Sequence, residues 1–286
     1  MIIDSHQHFW RYQPARDLWI TDEMAVLKRD FLPDDLMPEL RANSVAGCIS
    51  VQADQSEQET HFLLELAERH DEVKGVVGWV DLLNPGVRDR LRYWSQFRKL
   101  CGFRHVVQAE PDDRFLLRPE FLRGITALEE FDFTYDILIY PKQLPAAIEL
   151  VVQFPRQRFV VDHLAKPEIR GATLEPWAQR ISTLARNANV YAKLSGLVTE
   201  ADWRNWRADD FRPYLDVVFA AFGPDRLMFG SDWPVCLLAG SYCQVKDLIS
   251  SYTSRFGEDR QARIFAGNAI RFYRLKHRGN GSRTTQ

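Results

Sequence analysis

His6 and His8 stand two residues apart where the apolar run Ile2 to Ser5 ends. On a strand that spacing turns both imidazoles to one side. Such a pair can ligate one divalent cation or polarise a carbonyl. His163 follows Phe159-Val160-Val161-Asp162, again at the end of an apolar run. There it can act as a third ligand or as an acid–base group, because imidazole titrates nearest neutrality. Asp232 follows Leu227-Met228-Phe229-Gly230-Ser231, and Pro234 stops any continuing strand. A buried carboxylate with no partner is costly, so Asp232 points to chemistry. It can take a proton from an attacking water, ligate a metal, or do both in sequence. His6, His8, His163 and Asp232 are therefore the candidate catalytic set, with His6, His8 and Asp232 as ligands for a single ion.

Arg104 and Lys193 lie within two further runs, Phe103 to Gln108 and Val190 to Leu194. Arginine offers a planar fork to a carboxylate and lysine a mobile cation, so both are candidates for orienting substrate oxygens. Alternation makes Arg104 compete with His105 for the inward direction, and Arg104 is taken as inward. Trp10, Trp79, Tyr140, Lys142, Gln143 and Trp233 fall near the ends of runs and can line a polyhydroxylated ligand. Gly223-Pro224-Asp225 reads as a turn rather than a phosphate loop. Lys193-Leu194-Ser195-Gly196 lacks the first glycine of a nucleophile elbow, which argues against a serine hydrolase.

Eight short apolar runs must position these side chains: Ile2 to Ser5, Gly47 to Ala53, Gly75 to Val80, Phe103 to Gln108, Phe133 to Ile139, Phe159 to Asp162, Val190 to Leu194 and Leu227 to Gly230. Helical patterns occupy Leu32 to Ala42, Glu57 to His70, Val87 to Phe97, Glu120 to Glu130, Pro145 to Phe154, Trp177 to Ala188 and Phe211 to Phe222. Pro119 and Pro145 suit first helical turns. Strands alternating with helices predict a parallel sheet, and eight repeats predict its closure into an α/β (β/α)8 TIM barrel. Strand ends would then share one face, with Asp232 on the last strand beside the first. The connection after His8 is long and rich in aromatic and charged residues, so Arg11 to Asp30 is expected to form a loop or partial lid. Residues 1–275 read as one domain, and Lys276 to Gln286 as a flexible tail.

With 286 residues and a formal charge of −2, the chain offers no overall electrostatic reason to bind nucleic acid or an anionic membrane. No stretch approaches the roughly 20 apolar residues of a membrane span, and the N-terminus has no basic leader. Cys48, Cys101, Cys236 and Cys243 show no paired zinc-site spacing and read as reduced thiols. These features predict a soluble cytoplasmic monomer or homodimer that acts on a small molecule.

The strings Ile3-Asp4-Ser5-His6-Gln7-His8-Phe9-Trp10, Asp162-His163-Leu164-Ala165-Lys166-Pro167, Lys193-Leu194-Ser195-Gly196-Leu197 and Phe229-Gly230-Ser231-Asp232-Trp233-Pro234 resemble the amidohydrolase-2 branch of the amidohydrolase superfamily. Within it they are most similar to sugar-lactone hydrolases acting on L-fuconolactone or L-rhamnonolactone. Dicarboxylate-lactone hydrolases share much of the framework. The resemblance runs to Gly267-Asn268-Ala269, which is similar to the family's closing helix. It implies that His6 and His8 are the first-strand histidine pair, His163 the sixth-strand histidine and Asp232 the last-strand aspartate. Binuclear members carry a bridging carboxylate or modified lysine on the fourth strand and a histidine on the fifth. Here the fourth offers Arg104, and Asp136 in the fifth run does not restore the pattern. The resemblance thus implies at most one divalent ion, such as zinc, and allows a reaction that dispenses with it. It implies opening of a 1,4- or 1,5-lactone, with Asp232 activating water and the histidines polarising the carbonyl. The branch also contains metal-dependent nonoxidative decarboxylases, and a noncatalytic sugar-binding barrel is a third reading.

Overall fold

In the computed structural model, which describes residues 1–275, each apolar run contributes a parallel strand. They are β1 (Ile3–Gln7), β2 (Gly47–Val51), β3 (Val73–Gly78), β4 (Leu100–His105), β5 (Thr134–Ile137), β6 (Phe159–Val161), β7 (Val190–Leu194) and β8 (Leu227–Phe229), paired in sequence order. Each strand is followed by a helix: α1 (Pro33–Ala42), α2 (Glu57–Arg69), α3 (Val87–Trp94), α4 (Pro119–Glu130), α5 (Leu144–Gln153), α6 (Trp177–Leu184), α7 (Ala208–Phe222) and α8 (Tyr242–Thr253). The chain ends in α9 (Glu258–Ala262), a π-turn over Arg263–Gly267 and α10 (Asn268–Tyr273). The architecture is the (β/α)8 barrel. The expected tail, Lys276 to Gln286, lies outside the described residues.

The end of β1 meets the backbone just beyond β8. His8 N–H donates to Trp233 O at 2.7 Å, and Asp232 N–H donates to His6 O at 2.8 Å. The seam that closes the barrel thus places Asp232 against the histidine pair.

Register in β1 decides which side chains enter the barrel. Ile3 pairs with Gly47 and Asp4 with Cys48, but Gln7 pairs with Ser50, so β1 has one residue more than β2 over this stretch. A bulge of this kind re-aims the chain. Ile3 packs inside the barrel, Asp4 turns to the seam, and His6 and His8 face inward above Ile3.

Ile49, Val51, Val77, Val160 and Met228 share that interior with Ile3, and Ala266, Ala269, Phe272 and Tyr273 close its lower end. The closing segment is therefore a plug under the polar layer that carries the histidines.

Several expected strands run differently, and β3 lies two residues earlier than expected, at Val73–Gly78. β4 starts at Leu100, and Val107–Ala109 is a 3-10 turn, because Gln108 N–H leaves the ladder to bond Leu138 O at 3.0 Å. β5 correspondingly stops at Ile137. Helix α8 was not among the expected elements, although Ser241 and Gln244 form a reciprocal capping box, with Ser241 Oγ accepting from Gln244 N at 3.2 Å and Gln244 Oε1 accepting from Ser241 N at 2.8 Å.

The first loop has its own apolar centre. Trp10 and Phe31 exchange backbone bonds of 3.0 and 2.9 Å, Trp10 Nε1–H donates to Arg29 O, and Phe31 packs edge-on to Trp233. A 3-10 segment over Asp22–Leu27 lies between them in the chain.

Gly230 sits where β8 crosses β1. A Cβ there would lie 2.7 Å from His6 Cβ and 3.1 Å from Ser195 Cβ. Gly230→Ala is expected to lower unfolding free energy by about 1–3 kcal/mol in urea titration, the range for overpacking a tight interior. Unchanged stability would show that this approach can relax freely.

Candidate active site

Three imidazoles surround one carboxylate oxygen. Asp232 Oδ1 lies 3.4 Å from His8 Nε2, 3.8 Å from His6 Nε2 and 3.9 Å from His163 Nε2. His6 Nε2 and His8 Nε2 are themselves 3.1 Å apart. The four side chains come from the ends of β1, β6 and β8 and are nearly buried.

His8 Nδ1 lies 2.8 Å from Val51 O. A carbonyl only accepts, so Nδ1 carries the proton and neutral His8 presents a bare Nε2. His163 Nδ1 contacts Ser195 Oγ at 2.9 Å. Gly196, with φ +63°, leaves room for that ring, since a Cβ there would lie 2.5 Å from Nδ1.

The backbone at these positions is strained. His163, Leu164, Ala165 and Lys166 all have φ between 51° and 58°, and Asp232 has φ 58°. A left-handed run of non-glycine residues costs on the order of 1–2 kcal/mol per residue, and such strain collects at functional sites.

Beneath His6 lies a layer of buried ions. Lys193 Nζ is 2.5 Å from Asp136 Oδ2, 3.0 Å from Asp162 Oδ1 and 3.1 Å from His6 Nδ1. Arg104 Nη1 bonds Asp162 Oδ2 at 3.1 Å and lies 3.3 Å from His6 Nε2, while its Nη2 donates to Gln52 O. Tyr273 Oη, from α10, donates to Asp136 Oδ2 at 2.7 Å. Arg104 is thus the inward residue. His105 points outward, stacked on Phe115 and bonded to Glu110.

The candidate substrate-contact residues separate accordingly. Arg104 reaches the centre. Lys193, at 0% exposure, has its ammonium enclosed by Asp136, Asp162 and His6. Trp10 and Trp233 are buried in the aromatic packing of the first loop. Gln143 is buried and clamps backbone, donating to Val107 O and accepting from Tyr140 N–H. Lys142 forms an exposed pair with Asp113. Tyr140 is half-exposed, with Lys166 Nζ 5.6 Å from its ring centre. Trp79 follows β3, and its buried Nε1 has no hydrogen-bond partner among the described residues. Sequence reasoning weighed Asp136 as a metal ligand and Ser195 as a nucleophile and set both aside, and it gave Asp162 no role of its own. The only signal for the two aspartates was a carboxylate within or just after an otherwise apolar run.

Burial sets the protonation states. It lowers His6 well below its ordinary pKa, reinforced by the Lys193 charge and only partly opposed by Asp162. His163 is likewise held down at about 4 by burial, despite Asp232 and Asp162. Burial pushes Asp232 up, but the imidazoles around it win and hold it well below the usual carboxylate range. At neutral pH Asp232 is a carboxylate, and His6 and His163 are neutral.

This donor set fits a divalent ion. Ligand atoms about 2.0–2.2 Å from a tetrahedral ion stand roughly 3.3–3.6 Å from one another. The three separations among His6 Nε2, His8 Nε2 and Asp232 Oδ1 bracket that spacing. His6, Asp162 and His163 also cluster, but Asp162 is already engaged by Arg104 and Lys193.

Among known proteins, a family model described as amidohydrolase matches residues 3–275. The chain is 44% identical to an L-fucono-1,5-lactonase of Burkholderia multivorans, over 96% of each chain. It is 37% identical to an L-fucono-1,5-lactonase of Burkholderia ambifaria, covering 96% of this chain and 95% of that one. A crystal structure of an amidohydrolase from Burkholderia multivorans with bound Zn superposes with TM-score 0.93 at 43% identity, over 96% of this chain and 100% of the other.

His163 makes the fold acid-sensitive. A histidine whose folded pKa lies below its ordinary 6.5 favours the folded state when neutral, so its support is complete above pH 6.5 and is lost as pH falls toward 4. Asp4 and Glu59, pushed up by burial to about 6 and about 7, act in the opposite direction, so the test is a difference. Between pH 7 and pH 5 the native chain should lose about 2 kcal/mol more stability than His163→Gln in urea titrations. Equal losses would contradict the assignment.

Proposed function

The chain belongs to the amidohydrolase family, and from that premise we propose that it is a lactonase that opens a sugar lactone to the aldonic acid, with L-fucono-1,5-lactone the foremost candidate. The observation carrying this reading is the single Asp232 oxygen facing three imidazole Nε2 atoms. The fucono-1,5-lactonase relatives, similar over nearly their whole length, supply the substrate class.

Asp232 accepts a proton from water as the oxygen adds to the lactone carbonyl carbon. Charge then develops on the carbonyl oxygen, and the cationic Arg104 fork and the His163 ring are the nearby groups able to meet it. The bond from the carbonyl carbon to the ring oxygen breaks, and Asp232 returns its proton to that oxygen. His8, with its proton fixed on Nδ1, keeps its Nε2 lone pair toward the reacting centre. A divalent ion held by His6, His8 and Asp232 would supply Lewis acidity toward a carbonyl oxygen. Trp79, with an unpaired buried donor, and Tyr140, partly open, are proposed to meet substrate hydroxyls.

A pH-indicator screen of the purified chain against sugar and dicarboxylate lactones, repeated after chelation and zinc addition, tests the reading. L-Fucono-1,5-lactone should rank among the best substrates. Asp232→Asn should lower kcat by about 10²–10⁴ with the thermal transition retained. Near-native hydrolysis by the folded variant would remove Asp232 as the base, and no lactone opened faster than in buffer would overturn the function.

A further inference from the structure

His6 is held between groups that make opposite demands on the same ring nitrogen. Its Nδ1 lies 3.1 Å from Lys193 Nζ and 3.3 Å from Asp162 Oδ1. An ammonium only donates and a carboxylate only accepts. Nδ1 therefore has a partner whether it is bare or protonated.

The other nitrogen has the same duality. His6 Nε2 lies 3.3 Å from Arg104 Nη1, a donor, and 3.1 Å from His8 Nε2, an acceptor because the His8 proton is on Nδ1. Two neutral tautomers of His6 are thus both satisfied. In one, Nε2–H donates to His8 Nε2 and Nδ1 accepts from Lys193. In the other, Nδ1–H donates to Asp162 and the bare Nε2 can accept from Arg104 Nη1, while both it and His8 Nε2 stand within 3.8 Å of Asp232 Oδ1 as lone pairs, an arrangement suited to a cation. His8, with the single Val51 carbonyl behind it, has no such choice.

We propose that His6 is a tautomeric switch in which Lys193 holds the cation-free form and Asp162 the cation-ready form, so that the same site stays ordered with or without a divalent ion. On cation binding the Nε2 proton leaves to solvent and Nδ1 takes one from solvent, so His6 remains neutral throughout. Lys193 and Asp162 act through His6 and are positioning residues. The inference concerns the site of the proposed lactonase, but it is read by spectroscopy and zinc affinity, so it stands or falls independently of lactone hydrolysis.

Long-range proton–nitrogen spectra of the full chain labelled with ¹⁵N-histidine, taken after chelation and again with zinc, decide it. Without zinc, His6 should appear protonated on Nε2, and with zinc on Nδ1. Lys193→Met should move the chelated protein to the Nδ1–H form and tighten zinc binding by about 10-fold, measured by chelator competition. Asp162→Asn should weaken it by about 10–100-fold, the range for losing a partner behind a metal-ligating histidine. If either variant fails to fold, the native spectra alone decide. The same His6 tautomer in both native spectra would overturn the proposal. So would a Lys193→Met protein that binds zinc more tightly but keeps Nε2–H after chelation, because charge repulsion alone explains that result.

Discussion

Everything at the top of the barrel rests on the Lys193 ammonium, enclosed by Asp136, Asp162 and His6 with no exposed surface. Charges this deeply buried are tolerable only when paired and hydrogen-bonded. Arg104 supplies the second cation, bonded to Asp162 and Gln52, and Tyr273 caps Asp136 from the closing helix. Two cations therefore offset two of the interior carboxylates. The third, Asp232, lies among the three imidazoles, whose charges and hydrogen bonding hold its pKa down, so it stays a carboxylate able to meet a cation at this point. Removing one member of such a pair strands its partner, which typically costs about 3–5 kcal/mol. The ion layer is thus structural support and electrostatic setting at once.

The sequence made the barrel legible because each strand is a short apolar run ending in polar residues. It exposed His6, His8, His163 and Asp232 because each follows such a run. Arg104 could be placed inward, yet its partner could not be named. Arg104 meets its partner Asp162 from β4 across the barrel interior, and Lys193 reaches Asp136 and Asp162 from β7. Local pattern contains no such pairing. Asp136 in an apolar run therefore read as a failed ligand, whereas the fold makes it the counter-ion of Lys193.

Other features escaped for equally physical reasons. The left-handed turn from His163 to Lys166 contains neither glycine nor asparagine, so no turn signal marks it. Surrounding packing imposes it, with Leu164 and Ala165 fully buried and Leu164 O taken by Trp177 Nε1–H at 2.7 Å. Trp10 and Trp233 looked like sugar platforms because aromatics near strand ends often are. Both are almost fully buried, Trp10 against Phe31 and Trp233 against Phe9 and Phe31.

The closing seam explains why the Asp232 carboxylate and the histidine pair cannot drift apart. Asp4 accepts from His6 N–H, Ser231 N–H, Ser231 Oγ–H and Tyr242 Oη–H, at 2.6 to 3.1 Å. Burial pushes its pKa up to about 6 against those four donors, so the carboxylate remains the acceptor they require at neutral pH. One buried side chain thereby ties β1, the residue preceding Asp232 and helix α8 together. Asp232 N–H then bonds directly to His6 O, and Trp233 O takes His8 N–H. The peptide groups that close the barrel belong to His6, His8, Asp232 and its neighbour Trp233, so any loosening of the seam must move Asp232 relative to His6 and His8. That coupling gives a physical reason for the strained φ at Asp232: the seam's hydrogen bonds hold the backbone where the carboxylate meets all three imidazoles.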